Sequence, residues 1–177
     1  MAGQPPAEAP FEALAKCGDR LLLIGGNAVL AYGGPRVTFD CDCAVVAEDE
    51  RMVADVLAPL GYLFKERFDS FARYAHLGGL RPVVDVMILN VSTFQKLHTA
   101  SREVTLNGVV LRAPKPLHLV ALKLFALKNN PSRIAKDWED IQFLLRTTEW
   151  QRAELAELAQ RYASDETRRM LTGAGFL

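Results

Sequence analysis

Long hydrophobic runs are missing from this sequence. No apolar stretch approaches the roughly 18 residues of a membrane span, and Met1 to Pro10 carries neither the basic start nor the apolar segment of a secretory leader. No membrane partner is therefore expected. Cysteine is scarce: only Cys17, Cys41 and Cys43 occur. None falls in a CxxC or Cys/His pattern, which argues against the usual zinc arrangements. The three read as small buried apolar residues, and reduced thiols point to a cytoplasmic location. Neither sign of charge is in excess, with 21 basic and 21 acidic residues. The field of the whole molecule thus makes no argument for nucleic acid. The two familiar phosphate loops, GxxxxGK[ST] and GxGxxG, are also lacking.

What is present suits an ordinary globular chain. It has 177 residues, half of them hydrophobic, enough for one core with a small helical appendage. Phe11 to Cys17 has helical character. Leu21 to Ile24 is a short buried strand closed by Gly25-Gly26, and Asn27 is placed to cap the helix that follows. Val37 to Val46 reads as a strand, Glu48 to Leu60 as a helix ended by Gly61, and Tyr62 to Glu66 with Ala72 to His76 as a hairpin. Pro82 to Leu89 is a central strand and Ser92 to Ala100 a helix. Asn107-Gly108 signals a two-residue hairpin. Helices then follow over Pro116 to Lys128, Ile134 to Arg146, Thr148 to Tyr162 and Asp165 to Leu171. The fold class is α+β (mixed α/β): a mixed β-sheet flanked by helices over residues 1–115, then a C-terminal helical bundle over 116–177. With no clear linker, the two are expected to pack as one unit.

Chemistry gathers around acids. In Asp40-Cys41-Asp42-Cys43 a strand would send both aspartates to one face, their α-carbons roughly 6.5–7 Å apart. Carboxylates at that spacing can share one metal or bridge two. The alternative is a strand with one solvated face. Asp85 interrupts the apolar run Val83-Val84-Asp85-Val86-Met87-Ile88-Leu89. A charge inside such a run needs a metal or a partner such as an arginine. If the two strands are neighbours, the three carboxylates form a hard oxygen cage suited to magnesium or manganese.

Together these residues resemble the polymerase-beta-like minimal nucleotidyltransferase superfamily, in its toxin and abortive-infection branch. The likeness runs from Leu21 to about Leu145. It rests on Leu22-Leu23-Ile24-Gly25-Gly26, a helix, Asp40-Cys41-Asp42-Cys43 and a third acid, Asp85. Arg36-Val37-Thr38-Phe39-Asp40 is similar to an Arg-x-Thr-x-Asp run common there. Cys departs from the usual Ile, Leu or Val between the acids. The resemblance implies two Mg2+ or Mn2+ ions on Asp40, Asp42 and Asp85. It also implies an NTP substrate whose phosphates meet Gly25, Gly26, Asn27, Arg36, Thr38 and Lys123, with Asp137 as an additional candidate. A nucleoside monophosphate would pass to an acceptor hydroxyl with release of pyrophosphate.

Three readings of the acceptor follow. The first is a tRNA end or a protein side chain, as in the toxin of a toxin–antitoxin pair, with a cognate antitoxin or a homodimer as partner. It draws on the acid-free stretch between Glu103 and Asp137, which holds Arg112, Lys115, Lys123, Lys128, Arg133 and Lys136. The second is a small antibiotic-type acceptor, for which Glu66 and Asp69 are candidate contacts. The third is a non-catalytic, antitoxin-like module that binds nucleotide or a partner.

Overall fold

Short strands, the inner ones burying apolar side chains, build the part of the molecule that holds the acids. The computed structural model of the chain describes residues 9–35, 38–79 and 81–177. These divide into two units. One takes in the chain up to Ala31 and again Pro35–Pro114; the other takes in Tyr32–Gly34 and Lys115–Leu177.

The first unit contains a five-stranded mixed sheet. Its strands are β1 (Leu22–Leu23), β2 (Cys41–Val46), β3 (Tyr62–Phe68), β4 (Phe71–His76) and β5 (Val84–Leu89), in the spatial order β1-β2-β5-β4-β3. β2 and β5 run parallel, and every other pair is antiparallel. Helices α1 (Ala9–Ala15), α2 (Gly25–Ala31), α3 (Glu50–Leu57) and α4 (Val91–Thr99) complete it, with a separate hairpin of β6 (Arg102–Leu106) and β7 (Val109–Ala113). Asn107 and Gly108 turn that hairpin with φ of 51° and 80°, as a two-residue primed turn requires. Asn90 caps α4 by accepting a 2.8 Å hydrogen bond from the Thr93 amide. On one face of the sheet Cys41, Cys43, Ala72, Tyr74, Val84 and Val86 are at most 4% exposed. Removing that apolar area from water drives the sheet together at about 25 cal/mol per Å².

Most expected boundaries shift by one to three residues, the Glu48–Leu60 helix to Glu50–Leu57 for one, and three shifts have a visible cause. β2 begins at Cys41, not near Val37, which lies outside the described residues. The ladder starts with the Cys41 amide on the Val83 carbonyl, while the carbonyl of Asp40 is taken by a side chain, that of Asn27. For the same reason Asn27 does not cap α2: the helix opens two residues earlier, at Gly25, and its amide is committed elsewhere. The helix expected from Thr148 begins at Arg152. Thr148 Oγ1 and Trp150 Nε1 instead donate to the carbonyls of Leu144 and Leu145, satisfying the end of the preceding helix.

The second unit holds α5 (Pro116–Asn129), α6 (Ile134–Thr147), α7 (Arg152–Tyr162) and α8 (Asp165–Gly173), with α5 packed on the other three. Leu119, Leu124, Ile141, Leu144, Leu155 and Leu171 form its buried centre. Four charges sit beside them. Lys123 Nζ lies 3.1 Å from Asp137 and 2.7 Å from Asp140, and Arg133 Nε lies 2.7 Å from the other Asp137 oxygen. Burial alone would raise the Asp137 carboxyl, but Lys123 and Arg133 outweigh it and hold it below its ordinary value of 3.8. Among the described residues no helix is long and apolar enough to cross a membrane.

Lys123→Met should destabilise the chain by about 3–5 kcal/mol in urea unfolding, because two buried carboxylates lose their shared cation. The depressed carboxyl sets the sign with pH. Its contribution is full at neutral pH and drains away as the pH falls below about 3.8. The variant should show less of that acid loss, and equal unfolding curves would remove the cluster as a stabilising element.

Candidate active site

The parallel register places Asp42 of β2 directly opposite Asp85 of β5. The same rung continues across the sheet. Asp85 faces Arg73 of β4, and Arg73 faces Glu66 of β3. Four charged residues on four neighbouring strands therefore share one face, opposite the buried one. Arg73 grips Asp85 with a bidentate fork, Nε to Oδ1 at 2.8 Å and a terminal nitrogen to Oδ2 at 2.9 Å. Its other terminal nitrogen lies 3.3 Å from Glu66, and its guanidinium sits 4.9 Å from the centre of the Phe68 ring. The hydrogen bonds to Asp85 hold Arg73 well above its ordinary range; burial opposes them, and the charges of Asp85, Glu66 and Asp40 add smaller upward pushes. Asp40 is thus within electrostatic reach of the rung although it precedes the strand.

Gly25 joins this group through its backbone. Its φ is +64°, and a β-carbon built there would stand 2.1 Å from Asp42 Oδ2. Only glycine lets the Asp42 carboxylate lie against the start of α2. Asn27 then ties α2 to the approach of β2, its Nδ2 donating to the Asp40 carbonyl at 2.6 Å.

No family model and no curated protein matches the sequence. Solved structures do match. The crystal structure of ANT(2")-Ia in complex with adenylyl-2"-tobramycin aligns with a TM-score of 0.68 at 15% identity, over 88% of this chain and 96% of that one. A nucleotidyltransferase-like antigenic protein from Paracoccidioides brasiliensis aligns at 0.55 and 18% identity, over 94% and 89%. The lincosamide antibiotic adenylyltransferase LnuA, lincomycin-bound, aligns at 0.50 and 18% identity, over 72% and 87%. The chain has the minimal nucleotidyltransferase fold. At these identities the likeness is one of fold.

Within that nucleotidyltransferase fold the donor set suits a hard divalent cation. Carboxylates dominate, and no soft ligand competes. The Cys41 and Cys43 thiols are fully buried and pushed well above their ordinary value, by burial first and then by nearby negative charges. A thiol raised in this way favours its neutral form, a poor ligand for a metal. Yet among the described residues no group of three or more His, Cys, Asp or Glu side chains is arranged to hold a metal ion. Both oxygens of Asp85 are engaged by Arg73.

The remaining sequence-derived candidates are distributed as follows. Gly26 is buried in α2. Thr38 is half-buried on the approach to β2, and Arg36 lies outside the described residues. Lys123 and Asp137 belong to the second unit, where they pair with each other. Arg73 escaped the sequence reading. Its signal was present: a lone acid in an apolar strand calls for a cation, and Arg73 alternates with the buried Ala72 and Tyr74.

Gly25→Ala should cost about 1–3 kcal/mol in thermal or urea unfolding, from strained backbone and the clash with Asp42. Wild-type stability in that variant would mean that the contact gives way freely.

Proposed function

We infer that the chain is a metal-dependent nucleotidyltransferase that moves a nucleoside monophosphate from an NTP onto a hydroxyl of a small polar acceptor. The observation that carries this is the opposition of Asp42 and Asp85 on parallel strands, with Gly25 packed on Asp42, in a nucleotidyltransferase fold. In this reading Asp40 and Asp42 hold the cation, and Asp85 joins them at the acceptor side. A divalent cation bound there supplies Lewis-acid chemistry, neutralising charge on the phosphates and acidifying the acceptor hydroxyl. Gly25-Gly26 admits the phosphates close to the backbone, and Asn27 serves by fixing Asp40. The acceptor oxygen forms a bond to the α-phosphorus as the bond to the pyrophosphate oxygen breaks. Pyrophosphate leaves, and the hydroxyl proton passes to an Asp85 oxygen and then to solvent.

A small acceptor is favoured over RNA by the fate of the basic stretch. Of its six basic residues four are engaged, Arg112 with Asp19, Lys115 with Glu154, Lys123 with Asp137 and Asp140, and Arg133 with Asp137, while Lys128 and Lys136 are exposed. Cations engaged in this way are poorly placed to track a phosphate backbone. Two structural neighbours, ANT(2")-Ia in complex with adenylyl-2"-tobramycin and lincomycin-bound LnuA, support the same reading.

The test is incubation with each α-labelled NTP and Mg2+ or Mn2+, in turn with aminoglycosides and lincosamides, with bulk tRNA, and with no acceptor. Label on a small molecule is expected. Label on tRNA would return the acceptor to nucleic acid. NTP binding without transfer to anything would identify a non-catalytic module. Asp42→Ala should lower transfer at least about a hundredfold with an unchanged circular dichroism spectrum.

A further inference from the structure

We propose that the cavity between the end of α1 and the β6–β7 hairpin binds a small zwitterion, an α-amino acid with a side chain no larger than a methyl group. The cavity measures about 100 Å³. Ala15, Gly18 and Asp19 wall one side of it, and Glu103, Val110 and Arg112 the other. None of these residues belongs to the charged rung of the sheet. A cavity of about 150 Å³ admits benzene, so this one takes a molecule of about five or six heavy atoms, the size of glycine or alanine. The chemistry of the walls sets the rest. Glu103 and Arg112 stand directly opposite each other on β6 and β7. Side chains so placed normally meet, and opposite charges attract. Here they do not pair. Arg112 turns to Asp19 instead, its Nε 3.0 Å from Oδ1, and a terminal nitrogen donates to Ser101 Oγ at 3.2 Å. The guanidinium is thus fixed in place with its remaining nitrogen unused, while Glu103 and the second Asp19 oxygen have no partner among the described residues. A gap separates a held cation from a free carboxylate. An α-amino acid spans such a gap with both of its charges. Its carboxylate meets Arg112, its ammonium meets Glu103 and Asp19, and its short side chain lies on Val110. A β-carbon built at Gly18 would meet nothing within 4 Å, so the backbone there leaves the space open.

The experiment titrates glycine, L-alanine, methylamine and acetate in turn into the ¹⁵N-labelled full chain, at constant pH and ionic strength, and follows the amide resonances of Gly18, Val110 and Leu111. Neither nucleotide nor metal is present, so the result stands apart from the transferase reading. Glycine and alanine should move these resonances saturably, in the millimolar range. Methylamine and acetate, each carrying one of the two charges, should bind about tenfold more weakly or worse. The same titrations are run on Glu103→Gln, Arg112→Lys and Arg112→Met, with folding checked by circular dichroism. Glu103→Gln, a change at an exposed side chain, should weaken glycine binding about tenfold, as should Arg112→Met. Arg112→Lys should fall between that variant and the wild type, because it keeps a charge but loses the fork. If Arg112→Met does not fold, Glu103→Gln and Arg112→Lys decide the matter. Absence of a saturable response to glycine and alanine overturns the proposal. So does methylamine or acetate binding as well as glycine, since the cavity would then recognise a single charge. Glycine binding that is unchanged in Glu103→Gln and in whichever Arg112 variants fold also overturns it, because the ligand would then sit elsewhere.

Discussion

Two carboxylates held side by side on neighbouring strands repel each other, and the β2–β5 register makes that arrangement unavoidable for Asp42 and Asp85. Each added burial raises the cost, because the repulsion is less screened and each charge loses water. Something positive must stand beside them. In the molecule as it is, Arg73 does so for Asp85, while Gly25 gives the Asp42 carboxylate room against α2. The sheet order, the absence of a side chain at Gly25 and the Asn27 tether on Asp40 all serve to keep this strip of charge in place.

A comparison with the second unit shows what separates a charge cluster that stabilises from one available for chemistry. Around Lys123, two cations face two carboxylates; Lys123, Asp137 and Asp140 are buried among leucines, and Arg133 covers them from the surface. Its balance is internal. On the sheet, the Arg73 guanidinium engages Asp85 and Glu66, with Asp42 on the same rung and Asp40 close enough to be felt. The least buried members of that strip lie toward the sheet edge.

Much of this was readable in advance. The Gly-Gly bend, the two aspartates two residues apart and the lone acid in an apolar strand each imply backbone approach or charge compensation. The Asn107-Gly108 pair dictates its hairpin through backbone sterics alone. Other parts depended on register, which no local pattern encodes. Asp40 was assigned to a strand because valine and threonine precede it, yet the ladder starts one residue later, where Val83 supplies the first acceptor. Asn27 has the composition of a cap, and only the fold shows the Asp40 carbonyl competing for its amide. Lys123 and Asp137 lie 14 residues apart in sequence, and nothing short of helix packing reveals that they satisfy each other.

The outer strand of the sheet has a consequence of its own. β3 ends the sheet, most of it is exposed, and its pairing with β4 slips between Phe64 and Glu66. A flat rim bearing Leu63 and Phe64 would invite another chain to extend the ladder. The slip bends that rim, and Lys65, Glu66 and Arg67 set three charged side chains along it. An incoming strand would meet broken spacing and ions that it must strip of water. The same carboxylate that borders the charged rung, Glu66, therefore also guards the protein against polymerising through its own edge.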